Sequence, residues 1–315
     1  MLDHAVAVDG LTKRFGSFVA VDSISFSVPR GQVFGFLGPN GAGKSTTIRM
    51  LCGILEPSAG TGSVAGFDIR TQPERIKERI GYMSQKFSLY EDLTVAENIE
   101  FYAGVYGVPQ DRFHDRKRWV LGMAGLEERE NSLTRELSVG WKQRLALGCA
   151  VVHEPEVLFL DEPTSGVDPV SRRSFWDLIY ETAGQGVTVF VTTHYMDEAE
   201  HCDRLALIYR GKLVALGTPA ELKRAYSSGL LLEVSAEPLL AALDALQADR
   251  EVRDAALFGR NLHVVMPNRP DAEGYVADLL RRAGVSAARV EPIVPSLEDV
   301  FVALVEEADR AAAEV

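Results

Sequence analysis

The chain has 315 residues, a net charge of −12, and ordinary shares of hydrophobic (46%) and charged (25%) side chains, enough for one large folded domain and a smaller one. The acidic balance argues against a nucleic-acid binder, which needs a basic surface to neutralise phosphates. Its three cysteines, Cys52, Cys149 and Cys202, lack disulfide-framework or metal-ligand spacing, which points to reduced thiols. There is no apolar run near the ~18 residues of a membrane span and no secretory leader pattern, so a soluble, cytoplasmic protein is expected.

In chain order, residues 6–9, 19–28 and 33–37 are rich in β-branched and aromatic side chains and predict strands. A glycine-rich turn follows, then a helix over 46–54 with Ile48, Leu51, Cys52 and Leu55 at helical spacing. From Pro73 to about Ala150 the pattern is mostly helical. Residues 94–106 and 116–124 are the clearest helices there, and Thr94 with Glu97 has capping-box form. Two short apolar runs, 157–160 and 187–191, flank a further helical pattern and predict buried parallel strands of an α/β fold.

Tyr226-Ser227-Ser228-Gly229 reads as a linker. Beyond it, residues 229–315 contain no lysine and carry sixteen carboxylates against eight arginines. The order there is a strand (230–234), a helix (238–246), two strands about the turn Gly259-Arg260-Asn261, a helix (272–282), a strand (289–293) and a last helix (297–307). That βαββαβ order predicts a small α+β domain of ferredoxin-like topology.

Gly38-Pro39-Asn40-Gly41-Ala42-Gly43-Lys44-Ser45 matches the phosphate-loop pattern GxxxxGK[ST] between a predicted strand and a predicted helix, which Thr46 opens. Glycines let backbone N–H groups close on phosphate oxygens, and the helix N-terminus adds its positive end. In such a loop Lys44 reaches the β- and γ-phosphates and the Ser45 hydroxyl ligates Mg²⁺.

The apolar run Val157-Leu158-Phe159-Leu160 ends in Asp161 and Glu162, and paired acids at the end of a buried strand are costly without a use. Beside the phosphate loop, Asp161 would face the Mg²⁺ shell and Glu162 would polarise the attacking water as general base. His194 ends the following apolar strand and should emerge on the same edge, where it could bind the γ-phosphate. Gln85 ends a short strand and carries no signal by itself.

With Leu137-Ser138-Val139-Gly140-Trp141-Lys142-Gln143-Arg144 and Ser165-Gly166-Val167-Asp168 added, the motifs over residues 5–225 stand in one order. That order resembles the nucleotide-binding subunits of ATP-binding-cassette (ABC) transporters. The resemblance implies a P-loop ATPase domain over 1–227, with a helical subdomain at about 86–150, and an accessory domain over 228–315. It implies ATP and Mg²⁺ as cofactors, with Gln85 touching Mg²⁺ and the attacking water. Ser138 and Gly140 would bind the γ-phosphate held by a second copy of the chain, and Asp168 would line the seam between copies. Phe15 would stack on adenine; a core phenylalanine is its other reading.

One departure is Val139 where the family has glycine, with Trp141 for glutamine; a positive φ there would strain valine. Such variants resemble drug-efflux cassettes, and residues 295–301 (PSLEDVF) resemble the ending of cassettes paired with ABC-2-type exporters. That ending also reads as a capped helix with Ser296 at the N-cap. The implied protein powers an exporter of drugs or other hydrophobic compounds. It would sit on the inner face of the cell membrane and dock an integral membrane permease through an aromatic segment holding Phe87, Tyr90, Tyr102 and Tyr106; core residues are the other reading of these four. A stand-alone regulatory ATPase, with the C-terminal domain as sensor, is the alternative.

Overall fold

The computed structural model describes residues 4–86, 88–225 and 229–313. Two compact units part at Pro219 and Ala220, eight residues before the boundary expected from composition. Composition changes only after the helix that starts there, whose Lys223 and Arg224 still resemble the first unit. Tyr226, Ser227 and Ser228 of the expected linker, and Phe87, lie outside the described residues.

The first unit opens with a hairpin, β1 (His4–Phe15) and β2 (Phe18–Pro29). Then come β3 (Val33–Leu37), α1 (Lys44–Leu51), β4 (Ala59–Val64), β5 (Phe67–Asp68), α2 (Pro73–Lys77) and β6 (Ile80–Met83). The helical stretch is α3 (Val95–Val105), α4 (Gln110–Ala124) and α5 (Val139–Val151). Thr94 and Glu97 form the reciprocal capping box at the start of α3, satisfying two orphan N–H groups. After it run β7 (Val157–Asp161), α6 (Pro169–Gly184), β8 (Thr188–Thr193), α7 (Met196–Ala199), β9 (Arg204–Tyr209), β10 (Lys212–Gly217) and α8 (Pro219–Ala225).

The central sheet has the order β10-β9-β3-β8-β7-β6. Strands β9, β3, β8, β7 and β6 are parallel and only β10 is antiparallel. Every residue of β3, β7 and β8 is buried, which is why these runs lack alternation. A second, antiparallel sheet, β2-β1-β4-β5, shares one apolar cluster with the first. At its centre Phe190 lies within 6.1 Å, ring centre to ring centre, of Phe26, Phe34, Phe36 and Phe159. A separate cluster holds α3, α4 and α5 together and includes Tyr102, Tyr106 and Trp141 at its margin.

The second unit comprises β11 (Leu230–Glu237), α9 (Leu239–Gln247), β12 (Asp254–Phe258), β13 (Asn261–Met266), α10 (Ala272–Arg282), β14 (Ser286–Pro292) and α11 (Leu297–Ala313). Its sheet order, β12-β13-β11-β14 with all neighbours antiparallel, interleaves two βαβ halves. Helices α9 and α10 pack on the face bearing Leu232, Val234, Leu262 and Val264. On the other face α11 is tied to β13 by Asp299, whose Oδ1 lies 2.5 Å from His263 Nδ1. The same carboxylate accepts from the Ser296 N–H and hydroxyl at the helix start. Among the described residues, no helix is long and apolar enough to cross a membrane. All three cysteines are buried free thiols, and burial pushes each of their pKa values up.

Candidate active site

Parallel β3, β8, β7 and β6 end on one edge of the central sheet, and each end delivers one part of the predicted site. Past β3 comes the phosphate loop. Gly43 turns it at φ 111°, and a Cβ there would lie 2.6 Å from the Ala20 carbonyl oxygen, so neither backbone nor space admits another residue. Gly38 is needed for a different reason: its Cβ would sit 2.2 Å from the Ile208 oxygen on β9. Ala42 is buried, and its N–H donates to Pro39 O at 3.2 Å across the loop.

Lys44 is 3% exposed. Its Nζ donates to Gly38 O at 2.7 Å and Pro39 O at 3.2 Å, and lies 2.9 Å from Glu162 Oε1. Ser45 Oγ donates to Asp161 Oδ1 at 3.1 Å, and Thr192 Oγ1 donates to the same oxygen at 2.8 Å. Glu162 Oε2 accepts from Gln85 Nε2 at 3.1 Å. His194 Nδ1 is 3.2 Å from that oxygen but lacks hydrogen-bond alignment. One carboxylate thus meets loop lysine, glutamine and histidine at once. Burial first, and then the charge of Asp161, push the Cys52 thiol up and the Tyr82 hydroxyl up to about 12, so both stay protonated beside the site.

The donor set suits a nucleotide with a hard cation. Loop N–H groups and Lys44 complement phosphate, while the Ser45 hydroxyl and Asp161 carboxylate are the oxygen ligands Mg²⁺ prefers. Among the described residues, no cluster of three or more histidine, cysteine or acidic side chains forms a metal cage. Asn40, Gly41, Gly43, Lys44, Ser45, Thr46, Gln85 and Glu162 line a cleft of about 430 Å³ whose far wall is Phe15, Phe18 and Ala20. Phe15 is 50% and Phe18 62% exposed, which removes the core reading of Phe15. The two residues pair across the end of the β1–β2 hairpin. Phe18 was not singled out from sequence, although a second aromatic three residues after the first, across a Gly-Ser turn, was its signal.

Ser138, Gly140 and Asp168 are not part of this cleft. Ser138 is the exposed N-cap of α5, and its side chain makes no cap bond. Asp168 caps α6, accepting from the Val170 and Ser171 N–H groups at 3.0 Å each; bonds from Ser171 lower its pKa. Ser171 is also the side chain nearest to Gly140, where a Cβ would meet its Oγ at 3.0 Å, so the starts of α5 and α6 lie together. Val139 is a helical residue outside the positive-φ set, so valine there is unstrained. Trp141 packs beside Gly125, with the guanidinium groups of Arg144 and Arg129 at 5.2 and 5.6 Å from its ring.

Truncating Phe15 to alanine should weaken ATP binding about tenfold, since base–aromatic stacking contributes about 1–3 kcal/mol. Equilibrium titration with a fluorescent ATP analogue measures this, and unchanged affinity would assign the adenine elsewhere.

Comparison with known proteins adds likenesses to two family models, two relatives and one solved structure. The family model described as ABC transporter matches residues 21–165, and one described as AAA domain, putative AbiEii toxin, Type IV TA system matches 135–196. Over 213 residues the chain is 53% identical to the probable multidrug ABC transporter ATP-binding protein YbhF of Escherichia coli (strain K12). That match covers 68% of this chain and 37% of the relative, so the chain spans little more than a third of it. Over 308 residues it is 36% identical to the daunorubicin resistance ATP-binding protein DrrA3 of Streptomyces coeruleorubidus, covering 96% of each. The solved structure of an ATP binding subunit of an ABC transporter has a TM-score of 0.65 at 30% identity, over 70% of this chain and 93% of that one.

Proposed function

This chain belongs to the ATP-binding cassette family of ABC transporters, and on that premise we propose that it hydrolyses ATP to drive a separate membrane exporter from the cytoplasmic side. The observation that carries this reading is the convergence of Lys44, Ser45, Gln85, Asp161, Glu162 and His194 on one sheet edge. The loop N–H groups and Lys44 bind the phosphates, drawing Lys44 away from Glu162. Ser45, Asp161 and Gln85 would hold Mg²⁺, which when bound would supply positive charge against the phosphates. Glu162 takes the proton of the attacking water, whose oxygen bonds to the γ-phosphorus as the bond to the β–γ bridging oxygen breaks and ADP leaves. His194 holds Glu162 and the γ-phosphate in register.

The positions of Ser138, Gly140 and Asp168, outside the cleft of their own chain, support a head-to-tail pair of copies. In that pair the free hydroxyl of Ser138 and the α5 N-terminus face the γ-phosphate on the partner copy. A groove of about 430 Å³ with Cys52, Ile54, Ile80, Tyr82, Val105 and Tyr106 on its apolar side and Glu74, Lys77 and Glu78 on its charged side suits an amphipathic helix of a permease. Tyr90 is exposed and meets Phe101 edge-on at 4.6 Å, whereas Tyr102 and Tyr106 are partly buried against the α3–α5 cluster and only Tyr106 also lines the groove. Multidrug and daunorubicin resistance in the relatives' names favours hydrophobic cargo.

ATP turnover of the purified chain, alone and reconstituted with its permease in lipid, tests the proposal. Turnover that rises with the permease supports a coupled motor; turnover indifferent to every membrane partner favours a regulatory ATPase.

A further inference from the structure

We propose that Thr192 is a positioning residue for hydrolysis, setting the Asp161 carboxylate and the Glu162 backbone with a single side chain. This rests on the reading of Asp161 as metal ligand and Glu162 as base. Thr192 is fully buried and stands opposite Asp161 in the parallel pairing of β7 with β8. A hydroxyl has one proton and two lone pairs, and here both kinds are engaged. Thr192 Oγ1 donates to Asp161 Oδ1 at 2.8 Å and accepts from the Glu162 N–H at 2.9 Å. The Thr192 carbonyl accepts the same N–H at 3.1 Å, so the Glu162 amide is forked over one residue.

The fork matters because of what the chain must do at Glu162. Successive side chains of a strand point to opposite faces, which would separate Asp161 from Glu162. Instead Glu162 adopts φ 48°, a left-handed conformation that non-glycine residues rarely take. With that turn the Glu162 carboxylate reaches Lys44 and Gln85, while Asp161 reaches Ser45. Two neighbouring acids thereby serve one site, and Thr192 holds the turn. The donors Ser45 and Thr192 both meet Asp161 Oδ1, which fixes the carboxylate's rotation and leaves Oδ2 outside both bonds.

Thr192→Val keeps the branched shape and removes the hydroxyl, and Thr192→Ser keeps the hydroxyl. The experiment compares both with wild type and Glu162→Gln in the full chain. It reads ATP turnover, and binding of a fluorescent ATP analogue with Mg²⁺ or with EDTA. The valine variant should lose about tenfold in kcat, the scale of one hydrogen bond to a charged group. It should also need more Mg²⁺ for half-maximal nucleotide binding while binding in EDTA stays unchanged. A packing role would lower melting temperature without moving that Mg²⁺ dependence. Serine should restore both readouts, and it decides the matter if the valine variant does not fold. Valine matching wild type in both, or serine as impaired as valine, overturns the proposal. If Glu162→Gln keeps its turnover, the general-base reading fails instead, whatever Thr192 does.

Discussion

Replacing Glu162 by glutamine is expected to cut ATP turnover by about 10²-fold or more, the contribution of a positioned general base, while ATP binding persists. Glutamine keeps the size of the side chain, so the contact from Gln85 Nε2, 3.1 Å away, can still be accepted. It loses the negative charge that lies 2.9 Å from Lys44. Lys44 then retains Gly38 O and Pro39 O as acceptors, and an incoming phosphate no longer competes with a buried carboxylate for it. Affinity for ATP should therefore be equal to or tighter than wild type, and a nucleotide-loaded pair of copies should accumulate. Single-turnover hydrolysis, ATP titration and light scattering check the three parts. Near-full turnover in the variant would place the base on another residue.

The chemistry was legible wherever it demands residue types at fixed spacing. The phosphate loop, the Asp161-Glu162 pair and His194 could be placed on strand ends because short apolar runs lead into them. Thr192 could not, since a β-branched residue in a buried strand resembles any other, and its role exists only through the register with Asp161. Several elements were hidden for distinct physical reasons. β4 is Ala-Gly-Thr-Gly-Ser-Val, with little apolar content, and is a strand because it pairs with β1. α5 is buried without interruption from Leu145 to Val151, and a helix covered on all sides loses its periodicity. α4 begins six residues before the predicted start because its first turns, Gln110 to Asp115, are mostly polar. The β9–β10 hairpin did leave a trace: the run Leu205 to Ile208, then Arg210 and Gly211 at φ 46° and 81°, the turn geometry of a two-residue hairpin. Ser138 and Gly140 lie outside their own chain's cleft, so their proposed phosphate role comes from the family resemblance and not from the spacing or the fold of a single chain.

The core beneath the site gives the second large effect. Phe190→Ala should destabilise the larger unit by about 3–5 kcal/mol, the usual cost of removing a buried phenyl ring. Its surroundings place it at the upper end. Phe190 is fully buried and its ring centre lies 5.4 Å from those of Phe34 and Phe159, 5.5 Å from Phe36 and 6.1 Å from Phe26. These rings come from β2, β3, β7 and β8, so no single neighbour can move in to fill the space. For a domain this size each kcal/mol moves the midpoint by about 2–4 °C, so melting should fall by roughly 10 °C or more. The loss should also reach the chemistry. Phe190 is two residues before Thr192 on the same face of β8, and a void under that strand loosens the register that aligns Thr192 with Asp161. Turnover measured well below the lowered midpoint should therefore fall further than the folded fraction accounts for. Phe190→Leu, which refills most of the volume, should recover most of both losses. A truncation that melts within about 2 °C of wild type, less than one kcal/mol would produce, would mean the sheet closes over the gap and that site geometry does not depend on this ring.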